Sequence, residues 1–328
     1  MANNGGFFAI GKQQWTKACS LGLNHAVTLL VMARGTGRDN CTTSWSAESA
    51  FKYTGLAWRR GNDVIAALCE AQLVAKEQAG KRPRYKLSKP DALEDLIWLP
   101  NEFVTGAASE VPPLRKLREG QSVEHLETLV ELYAAQDLVG DGGISRSLFR
   151  APYDVRERIC GRGPFEIIGF SRSKREDHCS FSGPLKRFQY AKVEDDSQHP
   201  VWTFLRSMER MGLLERATYL VESDDQESEL IHQLAGDDLS QRTADAAVAL
   251  ADSLPGGFSY EAQRFDFVLP IPEHMTKATV VGILRLRYRP KTTKTAAWYG
   301  QHVESCARYE ALYNRIAEGD FSGLAAKC

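Results

Sequence analysis

The order in which apolar periodicity changes along the first ninety residues constrains this chain more than any other feature. Ala26, Val27, Leu30 and Val31 recur at helical spacing within 24–34 and Gly35 closes that run, after a shorter helical stretch over 13–21. Beyond the loop 36–43, Ser44 or Ser46 can cap a short helix that reaches Tyr53. The Thr54-Gly55 pair breaks it, and a third helix is expected from Ala57 to Ala71. Strands are then expected over 72–78 and 84–87. They are joined by Ala79-Gly80-Lys81-Arg82-Pro83, a turn-rich and cationic tip.

At 100° per residue, Ala57, Gly61, Val64, Ile65, Leu68 and Ala71 share one face of the third helix, and Arg59, Asn62, Asp63, Ala66 and Glu70 point away from it. The outer set matches base edges in the major groove. Arg pairs with guanine N7 and O6, Asn with adenine N6 and N7, and Asp accepts from cytosine N4, while the small Ala66 lets the backbone approach a thymine methyl. Arg60 belongs to the same surface. Trp58 lies at the edge of both faces, where packing is expected ahead of base stacking. A solvated face in which Arg59 bonds Asp63 across one turn is the alternative.

Over about Phe7 to Lys89 these residues resemble the winged helix-turn-helix family, whose members lay the third helix in the major groove and touch the backbone or minor groove with the wing. The resemblance implies a recognition helix from Trp58 to Ala71 and a wing over 79–84 with Lys81, Arg82 and Arg84. It also implies phosphate contacts from Thr42, Thr43, Ser44 and Ser46. The pattern consists of residue types and spacings, so it speaks to fold more than to function.

Charge points the same way. Residues 1–90 carry 13 Lys and Arg against 5 Asp and Glu, although the whole chain has a net charge of -1. Residues 222–252 hold 9 acidic residues and only Arg242, whereas 253–328 hold 10 basic against 7 acidic. At 328 residues the chain is long enough for two or three domains. It has no 18-residue apolar run and its first residues lack the basic start and apolar stretch of a signal peptide, so a soluble cytoplasmic chain without membrane contact is expected. The 7 cysteines are scattered, with no Cys-x-x-Cys, and read as reduced thiols.

Residues 91–121, with Pro100, Pro112 and Pro113, read as a linker in which 93–99 can pack back as a helix. A second domain is expected over 122–235, opening with an amphipathic helix over 122–136 that carries Val123, Leu126, Leu129, Val130 and Tyr133 on one side. His199 precedes a helix over 200–211 and a strand over 215–221, a faint echo of the first domain, with Thr203, Arg206, Ser207 and Arg210 outward. A wing there runs into the acidic stretch 222–227, which repels phosphate, so packing or partner binding is favoured for it. Between these helices, residues 143–192 hold 11 Lys and Arg against 5 acidic residues. Arg172, Lys174, Arg175, Lys186 and Arg187 are interleaved with Phe149, Tyr153, Phe165, Phe170, Phe181 and Phe188. That mixture suits a nucleic-acid surface, or equally an insertion with its own aromatic core. Residues 236–328 read as an α+β association or effector module: a helix over 241–254, strands over 265–271 and 279–288, and a long helix over 294–316. In the second strand Ile283, Leu284 and Leu286 are set against Arg285, Arg287 and Arg289.

Catalysis is not expected. There is no phosphate-loop Gly-Lys-[Ser/Thr], and Gly35-Thr36-Gly37-Arg38 lacks both the Lys and the context. There is also no Gly-x-Ser-x-Gly elbow. Cys160, His178, Cys179 and His199 are an awkward zinc set, because adjacent residues rarely ligate one tetrahedral ion. The sequence therefore predicts an α+β protein with an N-terminal winged helix-turn-helix, a second winged-helix-like domain with a basic insertion, and a C-terminal α+β module. Double-stranded DNA is the expected partner and a homodimer the expected assembly, with no cofactor or metal, while any small-molecule effector is left open. Transcription regulation is the first expectation. A replication initiator or partition-type protein of a plasmid, phage or integrating element is the second, and a protein-binding adaptor is the third.

Overall fold

The computed structural model describes residues 6–78, 83–89, 92–107, 110–138, 143–162, 165–173, 177–192, 198–225, 228–234, 264–290 and 292–317. Helix and sheet are mixed, as expected of an α+β chain. The chain forms two compact units. One comprises Met1–Leu138, Phe181–Glu215 and Leu286–Thr293, and the other Val139–Ser180, Arg216–Arg285 and Lys294–Cys328. Each unit gathers separate stretches of chain, so the expected succession 1–90, 91–121, 122–235 and 236–328 is replaced by an interleaved one.

In the first unit, strand β1 (Phe7–Gly11) leads into α1 (Lys12–Ser20) and α2 (Leu23–Arg34). Every residue of α2 from Ala26 to Ala33 is buried, the mark of a central helix with neighbours on all sides. Then come β2 (Thr42–Thr43), α3 (Ala47–Thr54), α4 (Trp58–Glu70), β3 (Val74–Gln78) and β4 (Arg84–Leu87), the three strands forming one sheet in the order β2-β4-β3.

The stretch expected as a linker is instead core. β5 (Leu96–Pro100) pairs antiparallel with β1, Ala9 opposite Trp98, and buries Ile97 and Leu99. α5 (Glu102–Thr105) buries Phe103 and Val104, and α6 (Pro113–Glu119) buries Pro113, Leu114 and Leu117. Its prolines sit where the missing N–H costs little. Pro100 ends a strand, Pro112 is the N-cap of α6 and Pro113 its first residue. Composition alone mistook these boundary positions for a flexible tether.

α7 (Val123–Ala134) starts at Ser122, whose hydroxyl accepts the His125 amide at 3.1 Å. α8 (Pro200–Arg210) starts at His199, whose Nδ1 accepts from the Val201 amide, and buries Val201, Phe204, Leu205 and Met208. The Phe204 ring centroid lies 5.5 Å from that of His125, edge to face, and 5.8 Å from that of Phe188, tilted.

The second unit is built mainly from strands: β6 (Phe149–Pro152), β7 (Val155–Arg162), β8 (Phe165–Ser171), β9 (His178–Cys179), β10 (Leu214–Val221), β11 (Leu230–Gln233), β12 (Phe267–Pro272) and β13 (Thr279–Leu286), with α9 (Thr293–Ala317). One sheet has the order β11-β10-β13-β6-β9 and the other β12-β8-β7. Phe165, Ile167, Phe170, Leu269, Ile271 and Tyr309 are among the residues of its core. β12 and β13 pair with residues of β8 and β6 that lie 97 to 131 positions earlier, so these strands complete the second unit's sheets and do not form a module of their own. The expected second winged-helix domain is divided as well, because α8 lies in the first unit and most of β10 in the second. β13 is buried on both faces. Arg285, read as an outward residue, is 9% exposed and donates to the Tyr219 hydroxyl. The helix expected over 241–254 lies outside the described residues.

Candidate nucleic-acid interface

α4 sorts its residues by face as its sequence requires. Gly61, Val64, Ile65 and Leu68 are buried, and Arg59, Arg60, Asn62, Asp63, Ala66 and Glu70 are exposed. A Cβ at Gly61 would stand 3.0 Å from the Ala47 Cβ and 3.3 Å from its Cα, so glycine sets how closely α3 and α4 approach. The turn between them is fixed at Gly55, whose φ of 70° favours glycine and whose amide donates to the Phe51 carbonyl at 2.8 Å. Thr54 stiffens it further, its hydroxyl donating to the Ala50 carbonyl at 2.6 Å and accepting the Leu56 amide.

Among the described residues the side chains of Arg59, Arg60, Asn62 and Asp63 have no hydrogen-bond or ion-pair partner. The alternative Arg59 to Asp63 bond is thus not made. Trp58 does not pack as expected but stands 53% exposed at the start of α4, and Phe51 on α3 is 55% exposed. Its position at the boundary of the two faces left the tryptophan outside the buried stripe.

α4 passes through Gln72 into the β3-β4 hairpin, which sets Val74 opposite Leu87 and Lys76 opposite Tyr85. Val74, Tyr85 and Leu87 are buried, leaving Lys76, Arg84 and Lys86 outward. Arg84 is 3.8 Å from the Glu77 carboxylate. The tip residues Lys81 and Arg82 lie outside the described residues.

A cleft of about 580 Å³ opens between the loop after α2 and this hairpin, lined by Arg38, Asp39, Thr42, Ser44 and Arg84 among others. Asp39 organises it, its carboxylate accepting the amides of Cys41 and Thr42. Burial pushes the Asp39 carboxyl up, but bonds from the Thr42 hydroxyl and these two amides, with Lys89 nearby, outweigh burial and hold it below the usual carboxylate range. Of the four expected phosphate contacts, exposed Ser44 and half-buried Thr42 line the cleft, although the Thr42 amide is already engaged. Ser46 is the N-cap of α3, without a capping bond from its side chain. Thr43 is corrected out of the set. It is 2% exposed, and its hydroxyl oxygen accepts the Trp45 amide at 3.0 Å.

The sequence gave no sign of the arginines on α6. Arg118 Nε donates to the Thr54 carbonyl at 2.6 Å, closing the carboxyl end of α3, and Arg115 pairs through Nε with Glu119 at 2.9 Å. A cationic tail on the stretch read as a linker became a cap only once α6 packed beside α3.

Arg150, Arg158, Arg172 and Arg187 of the central basic segment are paired with carboxylates within their own units. In the second unit, Arg172 pairs with Asp177 at 2.8 Å, both partly buried, and Asp177 also takes Arg216 at 2.6 Å. Arg150 pairs with Asp224 and Arg158 with Glu166. In the first unit, Arg187 bridges Glu127 and Glu131 on α7 at 2.9 and 3.2 Å. Arg172 and Arg187, expected as DNA contacts, are thus engaged in ion pairs within their units. Lys186 is exposed next to Arg187 in the chain, and Lys174 and Arg175 lie outside the described residues. On α8, Thr203, Arg206 and Arg210 are exposed, Arg206 donating to the Trp202 carbonyl.

No three His, Cys, Asp or Glu side chains among the described residues are placed to hold a metal, and no described helix is long and apolar enough to cross a membrane. Comparison with family models, with curated proteins and with solved structures gave no match to this chain.

Proposed function

We propose that the protein binds double-stranded DNA in a sequence-specific way through a winged helix-turn-helix formed by α2, α3, α4 and the β3-β4 hairpin, and acts as a transcription regulator. The observation that carries this reading is the outer face of α4. Arg59, Asn62 and Asp63 stand exposed without protein partners, on a helix fixed by Gly55 and Gly61 and followed directly by a cationic hairpin. A solvated structural face also leaves such groups to water, so it is their types and the hairpin that follows that favour DNA. Here they are of the donor and acceptor types that pair with base edges in the major groove. Arg84, with Lys81 and Arg82 beyond the described residues, supplies the sequence-independent backbone contacts.

Association as a homodimer belongs to the same proposal, because one short helix reads few base pairs and two held together read a longer site. The exposed Thr203, Arg206 and Arg210 of α8 favour a second reading, in which a further helix of the same unit meets DNA and the protein initiates replication or partitions a mobile element.

Enrichment of bound duplexes from fragments of the native genome, near physiological salt, tests the proposal. Recovery of a site beside a promoter supports the regulator, and repeated sites at a replication origin support the initiator. Recovery of nothing rejects DNA as the partner and leaves a protein-binding adaptor.

A further inference from the structure

The turn between α3 and α4 is crossed by two guanidinium groups that do not belong to the helix-turn-helix. If Gly55 carried a Cβ, that atom would lie 3.4 Å from Arg118 Nη2, 3.7 Å from Arg115 Cζ and 3.7 Å from Arg115 Nε, so both forks lie along the bare backbone of this residue. Each arginine commits only its Nε to protein: Arg118 to the Thr54 carbonyl and Arg115 to Glu119. The Nη ends, which fit a phosphate through two parallel N–H donors, have no acceptor among the described residues. α6 holds them there by burying Leu114 and Leu117. Lys52 on α3 and Arg59 and Arg60 on α4, the helices on either side of this turn, are exposed. Glu119, the carboxylate paired with Arg115, is half exposed and on the same short helix.

We infer that α6 is a second phosphate-binding element of the DNA-reading face, with Arg115 and Arg118 gripping the sugar-phosphate backbone beside the amino end of α4. This rests on the DNA-binding reading above and extends it beyond the helix-turn-helix itself, because the hairpin and α6 then contact the duplex from different parts of the unit. Contacts of this kind position the reading helix without carrying sequence information.

The test is a titration of the full-length protein with its enriched duplex and with an unrelated duplex, at several salt concentrations, for the wild type, Arg115→Gln, Glu119→Gln and Asn62→Ala. Arg115→Gln is expected to weaken both duplexes by the same factor and to flatten the dependence of log K on log salt by about 0.9. Glu119→Gln, which frees the Arg115 guanidinium, is expected to tighten both, a change opposite in sign to damage to the fold. Asn62→Ala is expected to lower the preference between duplexes and keep the salt slope. Wild-type slope and affinity in both α6 variants, while the wild type itself binds DNA, overturn this inference alone. Loss confined to the enriched duplex in Arg115→Gln also overturns it, since it assigns base reading to that residue. Failure of the wild type to bind any duplex overturns the DNA reading and this inference together.

Discussion

α4 and the central basic segment hold comparable chemistry on paper, yet the structure treats their charges in opposite ways. On α4 the arginines and the asparagine are exposed and without partners among the described residues. In the central segment Arg150, Arg158, Arg172 and Arg187 each face a carboxylate at 2.8 to 3.2 Å. A cation already paired in a partly buried site gives up an established bond before it can meet a phosphate, whereas an exposed unpaired one loses only water. The DNA reading proposed for α4 therefore rests on exposed, unpaired groups and not on the density of charge along the chain.

That contrast can be broken at several depths. The largest effect belongs to the inner face of α4, where Leu68→Ala is expected to cost about 2 to 5 kcal/mol of stability, read by denaturant unfolding, because it opens a cavity under that helix. A loss below about 1 kcal/mol contradicts the close packing assigned to that helix.

Arg187→Ala should come next. Removing the bridge leaves Glu127 and Glu131 facing each other and is expected to cost about 1 to 3 kcal/mol, while DNA affinity stays at the wild-type value. The loss should depend on pH. Burial already raises the Glu131 carboxyl, opposed by Arg187 and reinforced by Glu127, so loss of the arginine raises it further. A carboxyl whose folded pKa lies above its unfolded value gives stability that is complete below the unfolded value and lost as pH rises through the folded one. The deficit of the variant is therefore expected to be small below about pH 4 and to grow toward neutrality. A pH-independent deficit is the contrary result.

On the outer face of α4, Arg59→Ala or Asn62→Ala is expected to leave thermal unfolding unchanged and to cost about 1 to 3 kcal/mol of discrimination at one base position, measured with single-substituted duplexes. An equal loss on every duplex makes the residue a backbone contact instead. The smallest effect is expected at the hairpin, where Arg84→Ala should weaken all duplexes alike and reduce the salt slope by about one unit. An unchanged slope places Arg84 with Glu77 and not with DNA.

The elements that local patterns specify were legible in the sequence. Gly55 and the apolar stripe Val64, Ile65 and Leu68 mark α4 to within a residue at each end, and 84–87 is the observed β4. What escaped was set by long-range packing. Ile97 and Leu99 gain meaning only by pairing with β1, and the partners of β12 and β13 lie 97 to 131 positions upstream. Arg285 alternates with apolar neighbours like a surface residue, but its strand lies inside a five-stranded sheet. For the candidate site, the sequence marked the outward residues of α4. It missed Arg115 and Arg118, whose place depends on the packing of α6, and it counted Thr43, Arg172 and Arg187 as surface donors before their partners were visible.

The most direct test of the central claim is enrichment of bound duplexes from a random pool, run in parallel with the wild type and Asn62→Ala at near-physiological salt. The wild type is expected to recover one sequence, and Asn62→Ala the same sequence with a single position released. Indistinguishable pools from the two proteins, or no enrichment by the wild type, would contradict the assignment of α4 as the element that reads DNA.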